Sequence, residues 1–149
     1  MSEPVIYFFR VEDAYGEFSN HSPHPIELHG KTWPTVEHYF QAQKFAGTAL
    51  EENIRQEPSS QTAAQMGRDR SHPMRSDWEM VKEDLMREAL LAKFTQHPHL
   101  HERLLATGEA EIVEHTTNDG YWGDGADGQG KNRLGVLMME LRAKLRAAK

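Results

Sequence analysis

The sequence predicts one mainly helical domain with a small β component, an α+β chain of 149 residues. Two observations predict it. Most apolar residues recur at three- and four-residue intervals between capping residues, the period of a helix. Only three short runs carry strand character, and neither a repeat nor a linker divides the chain. The length suits a single hydrophobic core, so residues 1–149 are expected to form one domain.

Each element has a local reason. Pro4 to Phe9 is apolar and aromatic, a short buried strand. A loop rich in turn residues follows, with Asp13, Gly16, Ser19, Asn20, Ser22, Pro23 and Pro25. Ile26 to Trp33 alternates around His29–Gly30 and reads as a hairpin. The first helix runs from about Thr35 to Ala46: Thr35 is the N-cap, Glu37 suits the first turn and Gly47 stops it at C′. Ala49 to Gln56 is a weaker helix ended by Pro58, and Ser59 or Ser60 caps a short one that finishes at Gly67. Ser76-Asp77-Trp78-Glu79 has capping-box spacing, and Trp78, Val81, Leu85, Ala89 and Ala92 then line one face of a long helix ending before His97–Pro98. Leu100 to Thr107 is a further short helix stopped by Gly108. Ala110 to His115 is the last strand. The final helix spans about Asn132 to Ala147, burying Leu134, Leu137, Met138, Leu141 and Leu145.

Composition removes several function classes. There is no cysteine, which excludes disulfides, thiolate nucleophiles and cysteine-ligated zinc, and fits a reducing cytoplasm. A formal net charge of −6 argues against bulk nucleic-acid binding, which rests on a basic face. An anionic small molecule remains open, given a local cluster of Arg and Lys. No apolar run reaches the ~18 residues that span a bilayer. Met1 to Ile6 carries an acid at Glu3 and no signal-peptide pattern.

Three segments point to chemistry. In Trp33-Pro-Thr-Val-Glu-His-Tyr-Phe-Gln-Ala-Gln-Lys-Phe45, the helical period puts Glu37, Gln41 and Lys44 on one face, with Val36, Tyr39 and Phe40 in another sector as core anchors. Glu37 and Lys44 would stand ~10 Å apart along the axis, too far for an ion pair and suited to gripping one ligand; a solvated polar face has the same spacing. Asn118 to Gly135 is glycine-rich and leads into the last helix, whose N-terminal N–H groups favour an anion. Its spacing matches neither a phosphate-binding loop of the Walker type nor a dinucleotide fingerprint nor a calcium loop. A flexible surface loop is the alternative, weakened by Tyr121 and Trp122, since large aromatics pack on something. In Met66-Gly-Arg-Asp-Arg70, a helix stop precedes two arginines, of which Arg68 is able to clasp a phosphate or to pair with Asp69 or another nearby acid. His97, His99 and His101 do not converge on one face, and no His-Glu-x-x-His or Gly-x-Ser-x-Gly pattern occurs. Neither a metal nor any other cofactor is therefore expected.

These segments resemble the YbiA-like/NADAR family. The matching stretches are Tyr15-Gly-Glu-Phe-Ser-Asn20, the Trp33–Phe45 block, Met66-Gly-Arg68, the Trp78 helix, Glu114-His115-Thr116, and Asn118 through Arg142 with its Tyr-Trp-Gly-Asp-Gly and Gly-Lys-Asn-Arg-Leu-Gly runs. His21 and Ala126–Asp127 depart from the family's pattern, the latter within the glycine loop. The resemblance implies a YbiA-like helical fold and N-glycosidase activity. One branch cleaves the C–N bond of phosphoribosylated aminopyrimidines of riboflavin biosynthesis; another removes ADP-ribose from guanine bases. Length and near full-length match favour the first.

Taken with the spacing, the resemblance gives each residue a role. Glu37 is the carboxylate that serves as base or steadies an oxocarbenium-like sugar, with Asp119 able to share the task. Lys44 holds ribose or phosphate, or attacks the anomeric carbon through an imine. Trp78, Tyr121 and Trp122 stack on the base, with core packing the rival for Trp78, and Gly123 lets the backbone approach. Asn20 fixes a sugar hydroxyl or base edge. Arg68, Asn132 and the last helix's N-terminus hold the phosphate. The expected partner is a small phosphorylated N-glycoside. A non-catalytic sensor of ADP-ribose or a nucleotide is the rival class, and a metal-dependent hydrolase a weaker one.

Overall fold

The computed structural model describes residues 4–148; Glu3, read above as an N-terminal acid, lies outside them. The architecture is mainly helical with two small sheets, and it comprises two compact units. One is Asn20–Gln96; the other runs to Ser19 and resumes at His97.

The Asn20–Gln96 unit opens with the hairpin. Strands β2 (Ile26–Leu28) and β3 (Lys31–Trp33) pair antiparallel, Ile26 opposite Trp33. His29 (φ 56°) and Gly30 (φ 75°) both take positive φ, the two-residue turn that matches strand twist. Helix α1 (Val36–Gln43) follows, and the Thr35 hydroxyl accepts the His38 N–H as its cap. Helices α2 (Ala49–Arg55), α3 (Ser60–Arg68) and α4 (Trp78–Gln96) all pack on α1. Every residue of α1 is therefore buried, polar ones included.

Two expectations need adjustment here. The first helix stops at Gln43 because Lys44, Phe45 and Ala46 donate to carbonyls three residues back, tightening the last turn before Gly47 at φ 85°. Ser76 and Glu79 do not form the capping box, because the helix begins at Trp78 and Asp77 directly precedes it: the Asp77 carboxylate takes the Arg75 guanidinium, while its carbonyl accepts the Met80 and Val81 N–H groups. On α4 the buried set is Trp78, Met86, Ala89, Leu90, Ala92, Lys93 and Phe94. Val81 and Leu85 are only half-buried.

In the other unit, β1 (Ile6–Phe8) and β4 (Ile112–Glu114) pair in parallel, Ile6 beside Ile112. Helix α6 (Arg133–Ala147) packs on β4, and α5 (Pro98–Ala106) on α6. Gly135 permits that approach, since a Cβ there would lie 2.0 Å from the Ile112 carbonyl oxygen. Leu134, Leu137, Met138 and Leu141 are buried as expected, whereas Leu145 is half-buried. Arg142 is buried in its stead, donating to the Thr107 hydroxyl and the Ala110 carbonyl. Among the described residues no helix is long and apolar enough to cross a membrane.

Candidate active site

The face of α1 that sequence spacing singled out is not solvated. Glu37, Gln41 and Lys44 are 7%, 4% and 6% exposed, so ionisable groups are held inside the packing of four helices. Burying charge is costly unless other groups compensate it. Gln41 Nε2 donates to Glu37 Oε2 at 2.8 Å, and because an ionised carboxylate only accepts, that bond fixes which way the amide points. Gln41 Oε1 is then buried with no hydrogen-bond partner. It abuts Gly67 on α3, where a Cβ would sit 2.0 Å from Oε1. Glycine at 67 is what lets α1 and α3 close on this amide.

Lys44 Nζ donates to the Gly67 carbonyl at 3.3 Å and lies 5.7 Å from the Trp78 ring centroid. Its ammonium is pushed down to about 8, chiefly by burial and then by Arg70, with Arg68 and Lys82 adding repulsion and Glu37 opposing it. The shown hydrogen-bond partner is a carbonyl, not a carboxylate. Arg70 Nη1 reaches the same carbonyl at 3.0 Å. Arg68, the sequence candidate, is exposed at the end of α3.

Two further candidates belong to this unit. Trp78 is 6% exposed and packs on Phe40 with ring centroids 4.9 Å apart, so it serves the core on one side and faces Lys44 on another. Asn20 accepts the Glu37 N–H on its backbone carbonyl. Its side-chain Nδ2 meets the Met86 sulfur at 3.7 Å, and among the described residues Oδ1 is buried without a partner. Asn20 and Gln41, both bonded to Glu37, thus each carry a buried acceptor without a partner among the described residues. His38, beside Glu37, turns elsewhere: Nε2–H donates to the Glu57 carbonyl and Nδ1 accepts from Thr35. A carbonyl cannot donate, so the ring is the neutral Nε2–H tautomer.

The glycine loop, in the other unit, is held by more hydrogen bonds than its composition suggests. Lys131, Asn132, Arg133 and Leu134 donate their N–H groups to the carbonyls of Gly120, Gly123, Tyr121 and Trp122. The first two N–H groups of α6, those of Arg133 and Leu134, are therefore taken by backbone carbonyls. Asn132, left-handed at φ 50°, spends its amide on β4, accepting the Glu114 N–H and donating to the Ile112 carbonyl. It clamps α6 to the strand. Asp119 Oδ1 accepts the N–H groups of Tyr121 and Trp122, which makes its visible work a turn. Tyr121 and Trp122 are half-buried and meet edge to face, and Lys131 Nζ lies 5.5 Å from the Tyr121 ring centroid. Gly123 is buried where a Cβ would meet Thr116 Cγ2 at 2.5 Å, so its role is close packing of the loop on the strand end.

Sequence reading singled out Met66 to Arg70 but gave the phosphate to Arg68 and no role to Arg70, and it missed Asp124. The Asp124 carboxylate accepts the Thr116 N–H and bonds His115 Nδ1 at 2.7 Å. Burial pushes Asp124 up, but these bonds and the His115 charge outweigh it and hold the group below the usual carboxylate range. Among the described residues no group of three or more His, Asp or Glu is arranged to hold a metal ion.

The chain was compared with known proteins. The family model described as NADAR domain matches residues 7–146. N-glycosidase YbiA of Escherichia coli (strain K12) is 58% identical over 145 residues, covering 97% of this chain and 91% of that protein. The riboflavin biosynthesis protein PYRR, chloroplastic, of Zea mays is 40% identical over 156 residues, covering 95% of this chain but 25% of that protein. The NMR structure of E. coli YbiA superposes with a TM-score of 0.91 at 57% identity, covering 99% of this chain and 88% of that one.

Proposed function

The chain belongs to the NADAR family and is an N-glycosidase, and on that premise we propose that it hydrolyses the C–N bond of phosphoribosylated aminopyrimidines of riboflavin biosynthesis. The products are ribose 5-phosphate and a free aminopyrimidine. The observation that carries the proposal is Glu37 on α1 and Lys44 at its C-terminal cap, both buried, with Gln41 steadying the carboxylate. A carboxylate and an ammonium held in low dielectric act strongly on charge that develops nearby.

As the C–N bond lengthens, the electron pair leaves with the nitrogen and the sugar gains oxocarbenium character. Glu37 steadies that cation and takes a proton from a water. The water oxygen bonds the anomeric carbon, and the departing nitrogen is protonated. Lys44, charged below about pH 8, holds the phosphorylated sugar. Asn20 and Gln41, each with a buried acceptor lacking a partner, suit the hydroxyls of a ribose. Trp78 offers a ring beside Lys44. Stacking of Tyr121 and Trp122 on a base is a separate part of the proposal, as is a supporting role for Asp119. No metal is assigned to any step. Similarity to a relative named for riboflavin biosynthesis supports this substrate class.

The test is incubation of the purified protein, in EDTA, with phosphoribosylaminouracil and separately with ADP-ribosylated guanosine, with Glu37→Gln as control. Release of ribose 5-phosphate from the first, falling ~10²–10⁴-fold in the variant, is the expected result. Turnover of the second alone moves the protein to ADP-ribose removal with the same residues. Binding without turnover of either refutes the glycosidase mechanism in favour of a sensor.

A further inference from the structure

Lys44 stands in a cluster of cations larger than its own chemistry requires. Lys44 Nζ and Arg70 Nη1 both donate to the Gly67 carbonyl, and contacts of 3.3 and 3.0 Å cap the separation of those two nitrogens at about 6.3 Å. Arg68 closes α3 on one side of that carbonyl, and Arg70 follows two residues on. The charged groups that act most strongly on Lys44 are cationic except one: Arg68 and Arg70 from the end of α3 and the turn after it, Lys82 from α4, and Glu37 from α1 itself. Lys82 is committed to Glu79 at 2.6 Å. Arg70 has its one shown bond through Nη1, to a carbonyl that carries no formal charge. This concentration of positive charge occurs in a protein of net charge −6, so it is local. Like charges so close repel, and an anion placed among them removes the repulsion.

We propose that Arg70, together with Lys44 and Arg68, forms the site for the substrate's phosphate, and that Arg70 sets the preference for phosphorylated over unphosphorylated ribosides. The inference rests on the N-glycosidase reading for its substrate, and it replaces Asn132 and the start of α6, whose hydrogen-bonding groups are already used within the loop and β4. A dianion bridges what the shared carbonyl only draws together. The guanidinium offers donors in a fixed fork for two phosphate oxygens, and the ammonium offers a point charge. Occupancy also stabilises the charged form of Lys44, so binding the phosphate keeps that ammonium protonated during turnover.

The experiment compares kcat/KM for phosphoribosylaminouracil with that for its dephosphorylated riboside, in the wild type and in Arg70→Ala and Arg70→Lys. The ratio of the two is expected to fall ~10–100-fold in Arg70→Ala and to recover in part in Arg70→Lys. In the wild type the alkaline limb of kcat should lie at higher pH than that of kcat/KM for the phosphorylated substrate, the two limbs drawing together for the riboside. A ratio that survives Arg70→Ala while both rates fall together overturns the proposal and leaves Arg70 a structural part of the turn. Should the wild type cleave neither substrate, titration with ribose 5-phosphate and with ribose decides independently. Tighter binding of ribose 5-phosphate that weakens at least tenfold in Arg70→Ala upholds the anion site, and equal affinity of the wild type and Arg70→Ala overturns it.

Discussion

Lys44 gives the sharpest prediction because two opposite roles for it respond oppositely to pH. Its ammonium loses its proton at about pH 8 in the folded protein, against an ordinary 10.5. At pH 7 roughly ten molecules in eleven carry the charge; at pH 9 roughly one in eleven does. If the cation holds the sugar phosphate, kcat/KM falls about tenfold per pH unit above 8, and Lys44→Arg, charged throughout, loses that limb. If instead the neutral amine attacks the anomeric carbon, the rate rises through pH 8 and Lys44→Arg is inactive. A rising profile refutes the electrostatic role argued above. The same shift has a stability consequence whose sign is fixed. Between pH 8 and 10.5 the unfolded chain binds a proton that the folded chain has released, so stability rises with pH across that window. Below pH 8 the fold carries the full cost of the charge, at most about 3 kcal/mol from the shift. Lys44→Met should therefore stabilise the protein by about 1–3 kcal/mol at pH 7 in urea melts while abolishing activity. Its advantage should disappear above pH 10.5. Equal destabilisation at both pH values would show that Lys44 supports the packing it is argued to burden.

Further outcomes follow from burial and backbone geometry. Burial holds the His38 ring below its ordinary 6.5, although its bond to the Glu57 carbonyl opposes this; the unfolded chain thus takes up the proton first. Stability should decline as pH falls below 6.5, and His38→Gln should flatten that decline in urea melts. Gly135→Ala puts a Cβ against the fixed Ile112 carbonyl and should cost about 2–4 kcal/mol by thermal melting, whereas Gly120→Ala meets open space and should change stability by under ~0.5 kcal/mol. Asn132→Ala leaves the Glu114 N–H and Ile112 carbonyl without their partner. It should lose about 1–3 kcal/mol, with ribose 5-phosphate affinity unaltered.

What the sequence made legible was local, and what it hid was contact between distant segments. Thr35 and Ser59 mark helix starts because a cap acts within four residues, and each takes the expected place; Gly47 has the expected positive φ but lies three residues beyond the Lys44 cap. The spacing of Glu37, Gln41 and Lys44 put them on one face, but spacing cannot tell a wet face from a dry one. That difference is made by α2, α3 and α4 packing round α1, and it is the difference between a surface stripe and a desolvated ammonium. The parallel pairing of β1 with β4 joins segments from opposite ends of the chain and has no local signature. The glycine loop misled for a related reason. A run of glycines before a helix reads as an open anion cradle, yet here the glycines let residues 120–123 lie close enough to satisfy residues 131–134 with their own carbonyls. An N–H already bonded to backbone attracts an anion far less than one exposed. The positive charge available to a phosphate therefore has to come from side chains, and Arg68, Arg70 and Lys44 supply it around one carbonyl at the end of α3. Gly67 serves both ends of this arrangement: its missing Cβ admits Gln41, which orients Glu37, while its carbonyl gathers the cations. Gly67→Ala should on that account impair the carboxylate and the anion site together, raising KM and lowering kcat in one variant.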